Sequence, residues 1–333
     1  MAQDKTSLGI VYMGTPDFAV AGLEALLQND YKVVGVVTAP DRPAGRGRKL
    51  QASAIKQCAE KYGIPVLQPE KLRSDEFLEK LRELKANLQV VVAFRMLPKL
   101  VWDMPELGTF NLHASLLPQY RGAAPINWAL INGETETGVS TFFIDEKIDT
   151  GALLLQSKCP IDPQDNAGSL HDKLMALGAE LIVQTVALIA SGKADPQAQP
   201  QSEELQEAPK IDKQTCRIDW TRSKEQIHNF VRGLSPYPGA WTSIVTGDQH
   251  LSPCKILGLE LAEEMTQEKE TLLNKEWGSE KMGTAVIQHK REIWAKHSEG
   301  WMRITELQIP GKRKMKVEDL LNGWQPEANS FFE

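Results

Sequence analysis

The run "LQVVVAF" at residues 88–94 is apolar and β-branched almost throughout, without regular alternation of polar side chains. A strand of that kind is buried on both faces, as an inner strand of a parallel sheet covered by helices must be. "SLGIVYMG" at 7–14 and "YKVVGVV" at 31–37 read in a similar way, and between them "TPDFAVAGLEALLQ" carries apolar residues at helical spacing, with Thr15 or Asp17 available as an N-cap. That is a β-α-β unit. "AIKQCAEKYG" and "SDEFLEKLRELK" then add amphipathic helices. Strands alternating with helices predict an α/β fold: a doubly wound, mostly parallel, Rossmann-like sheet, whose ligands sit beyond the carboxyl ends of the strands.

From Ser169 the segment "SLHDKLMALGAELIVQTVALIASG" places Leu170, Leu174, Leu177, Leu181 and Leu188 on a helical stripe that Gly192 can end. The following "KADPQAQPQSEELQEAP" lacks the apolar content for a core and reads as a linker across the first domain's surface. Beyond it come a short helix, "SKEQIHNFVRGL", with Ile227, Phe230, Val231 and Leu234 inward, and the strand-like runs "AWTSIV", "CKILGLEL", "TAVIQ", "EIWAKH" and "WMRITELQI". Short strands separated by turns predict a small β-barrel. A chain of 333 residues is long for one core, and the expected division is a catalytic domain over 1–192, a linker over 193–209 and a barrel domain over 210–333.

The formal charge of -6 argues against indiscriminate nucleic-acid binding but leaves room for basic patches. "DRPAGRGRK" holds Arg42, Arg46, Arg48 and Lys49 against Asp41, and "GKRKMK" holds Lys312, Arg313, Lys314 and Lys316. Taken alone, each also reads as a solvated loop. The four cysteines, Cys58, Cys159, Cys216 and Cys254, form no Cys-x-x-Cys pair, so neither a zinc signature nor a disulfide framework is expected, and a reduced, cytoplasmic setting fits. The start "MAQDKTSLGI" lacks a basic stretch followed by a long apolar run, and no segment reads as the roughly 18 apolar residues needed to span a bilayer, so no membrane association is expected.

The "MGTPDFA" turn invites a dinucleotide reading, but that fingerprint needs three glycines at set spacing and Gly14 stands alone. Asp149-Thr150-Gly151 also occurs in aspartic proteases, which need two carboxylates in one site; no second copy exists in the chain. Asn111 and His113, two residues apart in an extended run, point to one side of a sheet. With Asp149 they form a plausible acid–base and oxyanion constellation, and equally a set of turn-forming, hydrogen-bonding residues.

"NLHASLLPQYRGAAPINWALINGETETGVSTFF" followed by "IDTG" resembles the 10-formyltetrahydrofolate-dependent formyltransferases, with the Asn-x-His, Ser-Leu-Leu-Pro and Asp-Thr-Gly elements in the expected order. The likeness runs through the whole first domain. The loop "APDRPAGRGRKL", and "YRGAAPINWA" where purine-pathway relatives differ, narrow it to members acting on methionyl-tRNA. The implied reaction moves a formyl group from folate N10 to a neutral α-amino group through a tetrahedral intermediate bearing an oxyanion. Asn111 and His113 would donate to that oxygen; Asp149 would hold the imidazole and accept the ammonium proton, directly or through water. No metal is required, and no ligand cluster for one is present in the sequence.

The resemblance also implies a pterin pocket bounded by Arg95, Met96 and Leu97 and by Ile144, Asp145, Glu146, Lys147 and Ile148, with Ser115, Leu116, Leu117 and Pro118 as a wall near the formyl group. "AFRMLP" departs from the longer, glycine-containing form of many tRNA-directed members and is closer to the purine-pathway form. The arginine loop would enter the acceptor end of initiator tRNA, Arg42 reading the weak terminal base pair and Arg46, Arg48 and Lys49 meeting phosphates. Pro43, Gly45 and Gly47 are expected to keep that loop irregular. The barrel, OB-like in the family and here carrying Lys312, Arg313, Lys314 and Lys316, would hold the tRNA body through its backbone. A monomeric enzyme using 10-formyltetrahydrofolate and initiator methionyl-tRNA is therefore expected. The alternatives are a formyltransferase for a small amine, a purine intermediate or an amino sugar, which has no use for the arginine loop, and a noncatalytic tRNA-binding protein, which has no use for the trio.

Overall fold

The computed structural model describes residues 8–44, 49–201, 204–260, 271, 273, 287–289, 291–327 and 330–333. The chain divides into two units, the first made of Met1–Pro125, Glu136–Pro160 and His171–Glu207 and the second of Ile126–Thr135, Ile161–Leu170 and Ala208–Glu333.

The early strands are β1 (Gly9–Gly14), β2 (Lys32–Val37), β3 (Arg42–Ala44), β4 (Lys49–Gln51), β5 (Val66–Leu67), β6 (Leu88–Val92), β7 (Thr109–His113), β8 (Arg121–Gly122), β9 (Glu136–Phe143) and β10 (Leu153–Pro160). The helices among and after them are α1 (Phe18–Gln28), α2 (Ala54–Lys61), α3 (Asp75–Glu83), α4 (Lys99–Trp102), α5 (Pro125–Ile131) and α6 (Ala167–Ala190). Seven strands form one sheet in the order β10-β9-β7-β6-β1-β2-β5. Its β7-β6-β1-β2-β5 part is parallel, while β9 and β10 add an antiparallel edge beside β7.

The unbroken apolar runs are explained by cover on both faces. Val11 and Met13 of β1 and Val91 of β6 join one core cluster with Phe77, Leu78 and Leu81 of α3 and Val101 of α4. Tyr12, between Val11 and Met13, points the other way and donates its hydroxyl to the oxygen of Ala19 in α1 at 2.8 Å. Alternate positions of one strand thus enter two cores, and each such side chain contributes about 1.5–3 kcal/mol on burial. Gly14 makes the turn into α1, where a Cβ would stand 2.5 Å from that of Ala19. Asp17 occupies the N-cap of α1 without a side-chain hydrogen bond, and Gly192 follows α6 at φ 67.

Helix α6, contrary to expectation, is long and apolar enough to cross a membrane by length and composition, with mean hydropathy 1.6 over its most apolar stretch. Half of that stretch is buried within the protein. Ile182 fits against Gly22, and Gly178 against Leu112 of β7, where a Cβ would come within 2.6 Å of the Leu112 side chain. This is the packing of a core helix.

Strand β11 (Glu207–Ala208) marks the passage into the second unit. There α7 (Lys224–Leu234) starts from a capping box of Ser223 and Gln226. The strands are β12 (Ala240–Thr246), β13 (Gln249–Glu260), β14 (Ile287–His289), β15 (Glu292–His297), β16 (Gly300–Gln308), β17 (Met315–Lys316) and β18 (Phe331–Phe332). They form an antiparallel, nearly closed barrel-like sheet in the order β14-β15-β16-β13-β12-β18, with β17 beside β16. The first part of the expected "TAVIQ" strand lies outside the described residues. Ile227, Val231 and Leu234 of α7 enter the barrel core with Ile244, Ile256, Ile304 and Leu307. Segments 126–135 and 161–170 belong to this unit: Asn127 donates to the oxygen of Gly233 at 2.7 Å, and Arg232 reaches the oxygen of Asp162 at 3.3 Å.

Candidate active site

Asn111 and His113 stand two residues apart on β7, with Leu112 between them turned toward α6. The parallel register sets Asn111 beside Val91, so the polar pair occupies the sheet face that Val91 presents to α3 and α4. His113 is 7% exposed. Its Nε2 lies 2.8 Å from the main-chain oxygen of Tyr120. A carbonyl only accepts, so Nε2 carries a proton and Nδ1 is the nitrogen left for chemistry. Nδ1 faces Oδ2 of Asp149 at 3.9 Å, within ion-pair range of a charged ring and beyond a direct hydrogen bond.

The Asp149 carboxylate is aimed by its surroundings. Oδ2 accepts the Gly122 main-chain N–H at 3.0 Å, while among the described residues Oδ1 takes no hydrogen bond. The Asn111 carboxamide is likewise without a hydrogen-bond partner among the described residues. One half-buried donor, one ring nitrogen and one carboxylate oxygen are therefore available at the carboxyl end of β7.

The turn carrying Asp149 tolerates little change. A Cβ on Gly151 would fall 1.7 Å from the oxygen of Phe143, which explains the glycine after Asp149-Thr150. Thr150 closes the turn by donating to Asp145 Oδ1 at 2.8 Å, and the Lys147 N–H donates to the same oxygen at 2.9 Å.

The residues match the formyl transferase family model over 8–186 and its C-terminal domain model over 210–325. The chain belongs to the formyl transferase family. It is 52% identical over 331 residues to the methionyl-tRNA formyltransferase of Parabacteroides distasonis, covering 97% of this chain and 98% of that one. It is 50% identical to the methionyl-tRNA formyltransferase of Flavobacterium johnsoniae, covering 95% and 96%. Among solved structures, the sugar 3N-formyl transferase WlaRD, crystallised with dTDP and 5-N-formyl-THF, shares the fold at TM-score 0.62 and 19% identity, covering 92% of this chain and 99% of that one. HypX from Aquifex aeolicus in complex with tetrahydrofolic acid matches at TM-score 0.62 and 16% identity, over 97% of this chain and 50% of that one.

In this formyl transferase the segments expected to bound the pterin meet. Leu97 is buried in the cluster under β1 and β6, and Phe94 and Ile144 pack against the same cluster. Lys99, just beyond the first segment, pairs with Glu146 of the second at 3.1 Å. Met96 is 72% and Ile148 58% exposed, so each segment presents a large apolar side chain to solvent. The Arg95 guanidinium donates to the oxygens of Pro69 and Glu70, and its pKa is lowered by burial and by the neighbouring Arg42 charge. Its observed partners are protein carbonyls.

Ser115, Leu116, Leu117 and Pro118 form a braced turn. Ser115 donates to the oxygen of Gln119 at 2.6 Å. Ser140 Oγ donates to the Ser115 oxygen at 2.6 Å and accepts the Leu117 N–H at 3.0 Å. Gln156 donates to the Leu117 oxygen at 2.9 Å. Leu116 lies against Gly138, where a Cβ would stand 2.6 Å from its side chain.

The arginine loop is more regular than expected. β3 and β4 pair antiparallel, Arg42 with Gln51 and Pro43 with Leu50. Pro43 lacks a donor but fits a two-stranded ribbon, where an edge position is free. Arg42 is exposed, whereas Arg46 and Arg48 lie outside the described residues, as does the side chain of Lys49. In the second unit, Lys312, Arg313, Lys314 and Lys316 are all exposed about the β16–β17 turn, and Lys314 pairs with Glu306 at 2.6 Å. Among the described residues no group of three or more His, Cys, Asp or Glu could hold a metal ion.

Three residues around the trio escaped the sequence reading as functional groups. Tyr120 fixes the His113 ring through its main-chain oxygen, Gln199 donates to the Asp149 turn, and Arg121 donates to Gln199. Arg121 was visible only as part of "YRGAAPINWA". Gln199 lies in the Pro- and Gln-rich segment, which gave no signal at all.

Proposed function

We propose that this formyl transferase moves the formyl group of 10-formyltetrahydrofolate to the α-amino group of methionine on initiator methionyl-tRNA. The observation that carries the reading is the alignment of His113 Nδ1 with Asp149 at 3.9 Å on the strand that also presents Asn111. Identity of 52% to a methionyl-tRNA formyltransferase across nearly the whole chain supports the acceptor. Residues 1–192 would carry the chemistry, with 193–209 leading to a tRNA-holding domain at 210–333.

10-Formyltetrahydrofolate, when bound, supplies the electrophilic formyl carbon. The apolar rims at Met96 and Ile148 suit the flat pterin, with main-chain groups of 95–97 and 144–148 reading its edge. The free Asn111 carboxamide and the Nδ1–H of a protonated His113 donate to the formyl oxygen as it gains charge. One donor of this kind is worth about 10²–10³ in rate. Asp149 Oδ1 accepts the proton that the attacking amine sheds, directly or through water, while Oδ2 keeps its bond to Gly122; as the tetrahedral adduct collapses, the formyl carbon–N10 bond breaks and that proton passes to N10, leaving tetrahydrofolate. The exposed Arg42 contacts the acceptor end of the tRNA, with Arg46, Arg48 and Lys49 on phosphates and the β16–β17 turn on the tRNA body. The four buried cysteines form no disulfide, which suits a reduced cytoplasmic setting, and the chain is taken to act as a monomer.

A folate-dependent formylation assay tests the reading by comparing charged initiator tRNA with free methionine, an amino sugar and a purine-pathway amine. Transfer to methionyl-tRNA at a rate well above the others is the expected result. Preference for a small amine, or tRNA binding without transfer, would replace it with one of the two alternatives.

A further inference from the structure

Asp149 holds φ 55, a left-handed backbone uncommon for non-glycine residues, though Asp enters it more readily than most, and here the backbone on both sides is tied down. The tie comes from a distant part of the chain. Gln199 Nε2 donates to the main-chain oxygen of Asp149 at 2.9 Å and to that of Gly151 at 2.8 Å, using both amide hydrogens across Thr150. Its Oε1 accepts from Arg121, from Nε at 3.2 Å and from Nη2 at 2.5 Å, which fixes the amide orientation because guanidinium nitrogens only donate. The chain beside it is anchored as well: Gln197 and Leu153 exchange main-chain hydrogen bonds at 2.7 and 2.9 Å.

Residues 120–122 thus address both catalytic side chains. The Tyr120 carbonyl accepts the Nε2–H of His113, the Gly122 N–H donates to the Asp149 carboxylate, and Arg121 orients the Gln199 amide that donates to the Asp149 backbone. Moving the Asp149 turn would break the Gly122 bond and lengthen the gap to His113 together.

We propose that Gln199, oriented by Arg121, is a positioning residue for formyl transfer: its paired donors set the Asp149–Gly151 backbone and through it the carboxylate opposite His113. Residues 197–199, which belong to the first unit, are by this account part of the active site. This rests on the function proposed above, and the test separates the two.

Gln199→Glu keeps the side-chain size and an acceptor for Arg121 but removes both amide donors; Gln199→Ala removes the whole group. Both are expected to lower kcat about 10- to 100-fold, the scale of an ångström misplacement. The KM for 10-formyltetrahydrofolate and for methionyl-tRNA should stay within about twofold, since the Gln199 amide is fully engaged by Asp149, Gly151 and Arg121. Independently of activity, amide hydrogen exchange at Gly122 should quicken at least about tenfold as its carboxylate acceptor shifts. Arg121→Lys, which loses the planar fork, should show a smaller change in the same direction. A kcat within about twofold of the wild type, a loss confined to KM, or a fall in kcat with unchanged Gly122 exchange would overturn the assignment. Faster Gly122 exchange in a protein that never formylates methionyl-tRNA would sustain the positioning role and reject the proposed reaction.

Discussion

His113 turns Nδ1 toward Asp149 Oδ2 at 3.9 Å while Tyr120 takes its other ring nitrogen at 2.8 Å. The ring is therefore oriented by a main-chain group, and its carboxylate-facing nitrogen takes no direct hydrogen bond among the described residues. A gap too long for a direct hydrogen bond but lined by two ionisable groups suits a reaction in which charge appears on oxygen and a proton leaves nitrogen.

From this arrangement, Asn111→Ala, His113→Ala and Asp149→Ala are each expected to lower turnover by at least about 10²-fold, with tRNA affinity and fold retained. Asn111 has no structural hydrogen bond to lose among the described residues, so its variant isolates the chemical role most cleanly. Saturation kinetics and tRNA titration on each variant check this. Near-normal kcat for any one of them would remove that residue from the reaction.

Arg42 sits on the exposed β3–β4 ribbon, opposite Gln51. Arg42→Ala should reduce discrimination between initiator and elongator methionyl-tRNA, because a lost base-edge contact is worth about 1–3 kcal/mol. Arg48→Ala should instead weaken both tRNAs alike. Comparing kcat/KM for the two tRNAs distinguishes the roles; an equal loss on both for Arg42→Ala would reduce that arginine to a phosphate contact.

The parts of this molecule legible in the sequence are those where physics acts locally. β1 and β6 declare themselves because cover on both faces leaves little place for polar side chains, the one amide in β6, Gln89, being buried with Thr109 as its partner, and Asn111 and His113 because a period of two fixes their shared face. The ribbon at 42–51 was hidden because glycines read as breakers, although β3 and β4 pair on either side of them. Gln199 was invisible for a different reason. Its bonds span 48 and 50 residues of sequence, and nothing in "PQAQPQ" distinguishes it from its neighbouring glutamines. The grouping of 126–135 with the second unit has the same origin, since Asn127 and Gly233 are 106 residues apart.

A pH dependence follows from the second unit. His297 is 2% exposed, burial pushes its imidazole below 6.5, and its Nδ1 accepts the Glu299 N–H at 3.2 Å. His228, half-buried near Arg232, is lowered for the same first reason, burial. Above the unfolded value of 6.5 both states hold neutral rings and these histidines add no slope. As pH falls below it, the unfolded chain takes up protons that the folded unit resists, and stability is lost. Urea midpoints for the second unit's transition should therefore fall from about pH 6.5 to about 5.5. His297→Asn, which keeps an acceptor without titrating there, should flatten that decline. An unchanged slope would place the pH sensitivity elsewhere.

The last expectation concerns the basic turn between β16 and β17. Lys314 pairs with Glu306 at 2.6 Å, while Lys312, Arg313 and Lys316 have no ion pair among the described residues. If this turn meets tRNA phosphates, the three unpaired cations release counterions on binding and Lys314 adds less, because Glu306 already neutralises it. Alanine at Lys312, Arg313, Lys314 and Lys316 should flatten the dependence of tRNA affinity on salt, each full phosphate contact contributing a slope of up to about -0.9 for duplex nucleic acid. Restoring Lys314 alone should recover little of the slope, whereas restoring Arg313 should recover more, and folate binding should not change in either case. Titrations across salt concentrations read this directly. A slope identical in wild type and the fourfold variant would make the turn a solvated loop and leave tRNA recognition to the arginine ribbon and the remaining barrel surface.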